Sequence, residues 1–558
     1  MGKRICRGML DQSQNESPLR APSDVMRLSR MGSMFPSRLS FLRTLLRKII
    51  SEGSTVERRH WDINSQGFGT AVYTIKLGGH PYSLFAIATP LDPEMRTDRV
   101  IAEAWDTAFV LYDGVPDELE IQRLATNAPL QEAGRFTDKD LCLSRANKSL
   151  RLFEKIVESL RNGTELPIGM IHKIGYLMRT TAVYGNGKFG IADRQDIDQR
   201  SGLQGPFMAE MLTVWLIRTF THDLVEHVGG KVLPRDLKRQ LGVGNSTGLG
   251  MAPFLVSHPM LLHSWMISRE TALARVRVAA VSEERAGRLL DLSRRAAQHL
   301  LEWNIPDTDH QARIVALRKA WADLTRGLTK KILMRDGALE DILAKSQTST
   351  EDLQELVVSW MIEPFGDLVD GLTECMANPF EPELDPQMSC EDVISILDDM
   401  FGYATSVNFE DPHATDQFWY VSEAKLEPRL GKRHSEEGAE RESPLDITRR
   451  IHDLALDLLG HTGPIWKFLI RFPEHRLAVQ RVQAAAQNPY SEIHDNLIDV
   501  NMAPIDMLRC KLSFFGASKF DPKSQLWTRI TLAQGAPLAD DLAKGTATDD
   551  WWLPVGAI

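Results

Sequence analysis

The chain is poor in cysteine, with five in 558 residues: Cys6, Cys142, Cys375, Cys390 and Cys510. They are odd in number, far apart and form no C-x-x-C pair. That excludes a disulfide framework and a cysteine-based zinc knot, and it reads as free thiols in a reducing compartment. No run reaches the ~18 consecutive apolar residues that a membrane span needs. The most apolar stretch, 208–228, is interrupted by Glu210, Arg218, His222 and Asp223. No apolar segment follows Lys3, Arg4 and Arg7, so a secretory signal is not expected. Cys6 stands where a Ser or Thr would favour lipidation of Gly2. Positive charge is in deficit: 65 Lys and Arg against 75 Asp and Glu give a net charge of −10. A broad nucleic-acid face needs the opposite balance. These absences point to a cytoplasmic protein with no nucleic-acid partner and no integral membrane association.

What is present is an ordinary globular composition, 43% hydrophobic and 25% charged, in a chain long enough for more than one core. Residues 1–35 carry no periodicity and read as a disordered basic tail. An amphipathic helix over 37–50 follows, with Ser37 as its cap. Its apolar face takes Leu39, Leu42, Leu45, Leu46, Ile49 and Ile50, and Arg43 lies largely outside that face. Next come two β-branched and aromatic runs, 69–77 and 82–88, flanking Gly78-Gly79-His80-Pro81, the signature of a hairpin. Residues 55–63 offer a third strand. From 98 onward the apolar spacing reads as helix over 98–112, 139–161, 168–178 and 206–228. Helices continue over 253–303, 311–328, 330–344, 351–376, 389–400, 446–459 and 473–487. The expected fold class is therefore mainly α: a large multi-helix protein with a small antiparallel β-hairpin or sheet near the N-terminus. The expected organisation is a tail (1–35), a helix-plus-hairpin element (36–97) and a main helical domain (98–425). A charged linker (426–444) and a C-terminal helical region (445–558) complete it.

Two glycine-dense segments are the candidates for chemistry. The first, 179–194, contains Gly185-Asn186-Gly187-Lys188-Phe189-Gly190, which matches the G-x-G-x-x-G spacing. That spacing means dinucleotide binding only between a strand and a helix, with an acid about twenty residues on. The helix expected before it and the early Asp193 remove that meaning. Several glycines can still bring backbone N–H groups close to an anion, with Arg179, Lys188 and Arg194 supplying charge and Asn186 and Gly187 completing the cradle. The second, Gly242-Val-Gly-Asn-Ser-Thr-Gly-Leu-Gly250, offers Asn245, Ser246, Thr247 and Gly248 ahead of Pro253. A helix start there would aim free N–H groups at a phosphate or carboxylate. The alternatives are a connector with solvated charges and a tight crossing built on small residues. Tyr184, Asp193 and His258 are the candidate acid–base groups. No metal site is expected: His222/His227 and His258/His263 are five residues apart, which separates their rings on a helix.

Residues 144–149 concentrate polar heads in an expected helix, where Arg145 and Lys148 would share a face. A further segment, 514–520, repeats the theme of aromatic, small and lysine residues. No motif calls for a cofactor, be it haem, flavin or nicotinamide. The leading expectation is a soluble enzyme using acid–base chemistry on an anionic, phosphate- or carboxylate-bearing small molecule, as a lyase, isomerase or transferase. Self-association into a homo-oligomer is left open. The rival is a non-catalytic helical protein that binds a ligand or a partner. The two readings separate on whether the glycine segments meet in space.

Overall fold

In the computed structural model, the residues described are 19–20, 37–96, 104–130, 136–185, 197, 199–246, 261–304, 308–373, 384–411, 414, 420–421, 428–429, 445–487, 515–521 and 529–551. Nearly all of the tail at 1–35 and of the linker at 426–444 lies outside them. Arg20 is an exception, donating to both carboxylate oxygens of Glu270 at 2.7 and 2.6 Å.

The chain is not mainly α with a small hairpin. Its N-terminal half supplies seven strands of a nine-stranded sheet, and the helices follow. The strands are β1 (Val56–Ile63), β2 (Gly69–Leu77), β3 (His80–Ala88), β4 (Thr107–Asp113), β5 (Asp140–Lys148), β6 (Tyr176–Gly185) and β7 (Gly242–Ser246). Two more come from the far C-terminus, β8 (Ala517–Asp521) and β9 (Arg529–Leu532). Their spatial order is β1-β2-β3-β4-β5-β6-β7-β9-β8. Every neighbouring pair is antiparallel except β6 and β7, which run parallel.

The β2–β3 hairpin forms where the sequence places it. Leu77 pairs with His80, and Gly78 and Gly79 supply φ of +56° and +78°, the left-handed values a two-residue turn demands. The segments 98–112, 139–161 and 168–178 turn out to hold β4, β5 and the start of β6. The physical reason is burial on both faces. All nine residues of β5 are buried, so it has no alternation of polar and apolar positions and its apolar residues fall on helical spacings by coincidence. β7 was hidden by its glycines, which strands usually avoid. They serve close packing: a Cβ on Gly244 would meet the ring of Tyr176 at 2.7 Å, and one on Gly242 would meet the Leu532 carbonyl oxygen at 2.2 Å.

Helix α1 (Phe41–Ser51) is capped by Ser40, not Ser37, and buries Phe41, Leu42, Leu45, Leu46 and Ile49 against the sheet's core. Helices α2 (Glu118–Asn127), α3 (Phe153–Asn162) and α4 (Ile168–Ile174) lie between strands along the chain. The 22-residue α5 (Met208–Gly229) crosses one face of the sheet. Its Phe220 ring sits 5.6 Å from Phe109 and 6.4 Å from Tyr73, and Asp223 accepts from the Tyr73 hydroxyl at 2.8 Å. With α6 (Arg235–Gln240), α5 is the crossover that lets β6 and β7 run parallel.

A second core gathers α7 (Leu261–Val278), α8 (Glu283–Glu302), α9 (Thr308–Thr325), α10 (Ala338–Gln347) and α11 (Glu351–Ile362). Trp321 and Trp360 donate to the Ser293 and Leu289 carbonyls of α8 at 3.2 and 2.8 Å. A third core packs α12 (Cys390–Thr405), α13 (Leu445–Leu458), α14 (Ile465–Arg471) and α15 (Arg476–Gln487). The first two cores share helices. Trp265 and Met266 of α7 belong to the sheet's core, while Ala272, Leu273 and Val276 of the same helix belong to the second.

Candidate functional site

The two glycine segments begin on neighbouring strands. β6 pairs with β7 in parallel register, Arg179 opposite Gly244 and Thr180 opposite Asn245. Arg179, Thr180 and Asn245 are all buried. Asn245 Nδ2 donates to the Thr180 hydroxyl at 3.1 Å, and that hydroxyl donates to the Gly244 carbonyl at 3.4 Å. Two parallel strands leave the sheet at the same end, so the chain continues from Gly185 and from Ser246 on one side. β6 runs on past the level of Ser246 before it stops. Tyr184 lies opposite Leu143 of β5, and its side chain is outside the description. Asn186, Gly187, Lys188, Asp193, Arg194, Thr247, Gly248 and His258 fall outside the described residues. Of the candidates, Arg179 and Asn245 are the two whose side chains the structure brings to adjacent strands. Ser246 ends β7 beside them.

This arrangement corrects the context of the G-x-G-x-x-G spacing. A strand precedes it, since Gly185 is the last residue of β6, and the segment lies within a β-α-β unit. The crossover helix α5 starts only at Met208, well beyond Gly190, and β7 carries no acid. Both departures take the segment away from the dinucleotide pattern. The 514–520 segment also joins this neighbourhood: β8 pairs with β9, and β9 pairs with β7 with Thr531 opposite Gly244.

The polar run 144–149 is a buried strand end, not a helix with a solvated face. In a strand, residues three apart point to opposite sides, so Arg145 and Lys148 diverge. Arg145 lies 3.4 Å from the ring centre of Trp105. Asn147 pairs across the sheet with Arg179, which puts both on one face. Its side chain accepts from the Asp106 N–H at 3.0 Å and donates to the Ala104 carbonyl at 3.1 Å. The buried Asp106 in turn accepts from the Lys148 N–H at 3.2 Å and the Thr107 hydroxyl at 2.9 Å.

Two further groups were not legible in the sequence. Arg43, fully buried, donates through both Nη atoms to Glu363 at 2.8 and 2.6 Å and through Nε to Asp549 at 3.1 Å. Arg38 and Arg47 close the same network onto Asp370 and Asp549. Beside it an open cleft of about 960 Å³ is lined by Arg38, Arg285, Arg288, Asp291, Glu363 and Asp367. Its charges pair with one another, Arg285 with Asp367 at 2.7 Å and Arg288 with Asp291 at 3.4 Å, so the cleft reads as a structural seam. The second group lies on α5. Arg218 donates to the carbonyls of Leu241, Pro537, Arg239 and Ala536, fastening the C-terminal segment to the end of α6 just ahead of β7. Burial, aided by Arg218, pushes His222 well below its ordinary value and keeps it neutral.

Among the described residues no group of His, Cys, Asp and Glu is gathered to hold a metal ion, and no helix is long and apolar enough to cross a membrane. No protein-family model matches the chain, and no curated protein or solved structure is similar to it.

Proposed function

We propose that this protein is a cytoplasmic enzyme that holds an anionic, phosphate- or carboxylate-bearing small molecule where β6 and β7 leave the sheet. The carrying observation is the parallel pairing of Arg179 with Gly244 and of Thr180 with Asn245. Ligands favour the crevice outside the carboxyl ends of parallel strands, and β6 and β7 end side by side at such an edge. Arg179 contributes charge from β6, and Lys188 and Arg194 follow it along the chain. Tyr184, Asp193 and His258 are the groups proposed to move protons, which suits a lyase, isomerase or transferase. Free Cys142 and Cys390, both buried, fit a reducing compartment.

The test is a thermal-shift screen of phosphorylated and carboxylated metabolites, followed by Lys188→Ala and Arg179→Gln with the best hit. At a ligand concentration of 100 Kd the wild type gains about 2.7 kcal/mol, and both variants should lose most of that gain. Stabilisation that survives both substitutions would remove this site.

A second reading, docking of another protein chain, is favoured by one surface. Leu456, Leu459, Trp466, Ile470 and Leu477 are exposed on α13–α15, with Ile470 at 73%. Trp466 and Ile470 are one helical turn apart on α14 and share its outer face. Self-association by light scattering that Ile470→Asp abolishes would support this reading. A monomer at tens of micromolar would remove the homo-oligomer from it.

A further inference from the structure

We propose that the corner where β5 runs into α3 is a separate binding site for a small molecule bearing a carboxylate or phosphate oxyanion, held by Lys148 and Arg96 beside the rings of Phe68 and Phe153.

Lys148 is 5% exposed, and its ammonium lies 5.0 Å from the ring centre of Phe68 and 5.7 Å from that of Phe153. Among the described residues that ammonium has neither a hydrogen-bond acceptor nor an ion-pair partner. A buried lysine is ordinarily paired, because an isolated charge in an apolar setting is costly. Arg96 Nε, beside it, is also buried without a hydrogen-bond partner. Phe153 is the first residue of the 10-residue α3, whose N-cap Leu152 provides no side-chain acceptor. A cation beside the positive end of a helix dipole is unfavourable unless an anion sits with it.

The charges at the corner leave room for that anion. Among the described residues at this corner, Asp106 is the buried carboxylate, and it already accepts from the Lys148 N–H and the Thr107 hydroxyl, with Arg96 Nε at 3.8 Å. Burial pushes its carboxyl above the ordinary range, opposed by Lys148, Thr107 and Arg96. Burial likewise pushes Lys148 down, with Asp106 opposing and Arg96 adding to the shift. Glu154 takes Arg96 Nη1 at 3.2 Å from the rim, 61% exposed. An oxyanion between Lys148 and Arg96 would satisfy the ammonium and the guanidinium Nε together. The two phenylalanine rings supply an apolar wall for the rest of the molecule. This corner is not the β6–β7 exit. Lys148 pairs with Met178 near the start of β6, whereas Gly185 at the other end of β6 pairs with Cys142.

The probes are phenyl phosphate, benzoate and, as an uncharged control, benzyl alcohol, read by thermal shift on the full chain. One or both anions should raise Tm, the larger shift identifying the oxyanion, and benzyl alcohol should leave Tm unchanged. Lys148→Met should abolish the shift while its own ligand-free Tm equals or exceeds the wild type, because an unpaired buried charge is gone. Arg96→Gln should weaken binding roughly tenfold, the loss of one hydrogen bond to a charged group. Lys188→Ala should bind as the wild type does, which separates this corner from the β6–β7 exit. The proposal is overturned if neither anion shifts Tm or if Lys148→Met retains the shift. Should Lys148→Met fail to fold, an Arg96→Gln protein that binds like the wild type overturns it equally.

Discussion

Arg43→Met is the substitution whose effect follows most directly from the structure. Arg43 is fully buried and joins Glu363, 2% exposed, to Asp549. Removing one member of a buried pair strands the other, at a cost of roughly 3–5 kcal/mol. Glu363 keeps a second cation, Arg38 Nη1 at 3.8 Å, so the loss should fall near the lower end, about 3 kcal/mol. Arg43→Met/Glu363→Leu removes both charges and replaces them with apolar groups of similar volume. That double variant should recover about half of the loss, because well-packed apolar pairs substitute for buried ion pairs with little penalty. Asp549 retains Arg47 at 3.1 Å in both variants. The assay is urea unfolding followed by tryptophan fluorescence. Trp551, itself buried, lies 5.6 Å below the Arg43 guanidinium and reports on this junction. A single variant losing under about 1 kcal/mol, or a double variant no more stable than the single, would refute the reasoning.

Three further outcomes are expected. His222 is held neutral in the fold, so below its unfolded pKa of about 6.5 the unfolded chain binds the extra proton, and stability is lost as pH falls through that value. The slope contributed is about 1.4 kcal/mol per pH unit, and unfolding of His222→Leu between pH 7 and 5 should be flatter than the wild type by that amount; equal slopes would contradict it. Asp549 behaves in the acid range: burial alone would raise it, but Arg43 and Arg47 outweigh burial and hold it below the usual carboxylate value. Its contribution is therefore present at neutral pH and lost as pH falls below about 4, and Asp549→Asn should show weaker acid sensitivity in the same titration. Gly244→Ala would press a methyl group onto the Tyr176 ring and should cost about 1–3 kcal/mol by overpacking; a neutral result would mean that β7 is not seated as described.

The sequence made some elements legible and hid others for definable reasons. The β2–β3 hairpin announced itself through β-branched runs and Gly78-Gly79, and α5 through its length and the glycines that end it. Among the helices, the spans 351–376 and 389–400 hold α11 and the start of α12, which the structure caps with Thr350 and Ser389, each accepting from the third residue on. β4, β5 and β6 were hidden because they are buried on both faces, so a period of two never appears. β7 was hidden because its glycines answer to Tyr176 and Leu532, partners that only the folded sheet supplies. The Arg43 network joins residues more than 300 positions apart, beyond the reach of any local pattern. Of the candidate site, the polar character of 179–185 and 242–246 was legible, and the strand pairing that brings them side by side was not. The cluster at 144–149 was noticed for the right residues in the wrong geometry: a strand separates Arg145 from Lys148, where a helix would have joined them.

The most direct test of the β6–β7 assignment is hydrogen–deuterium exchange of the full chain with and without the best anionic ligand from the screen. The account predicts slower exchange in peptides spanning 176–196 and 242–250 together, with peptides from α13 to α15 unchanged. Protection of one segment without the other, or of neither, would contradict a shared site.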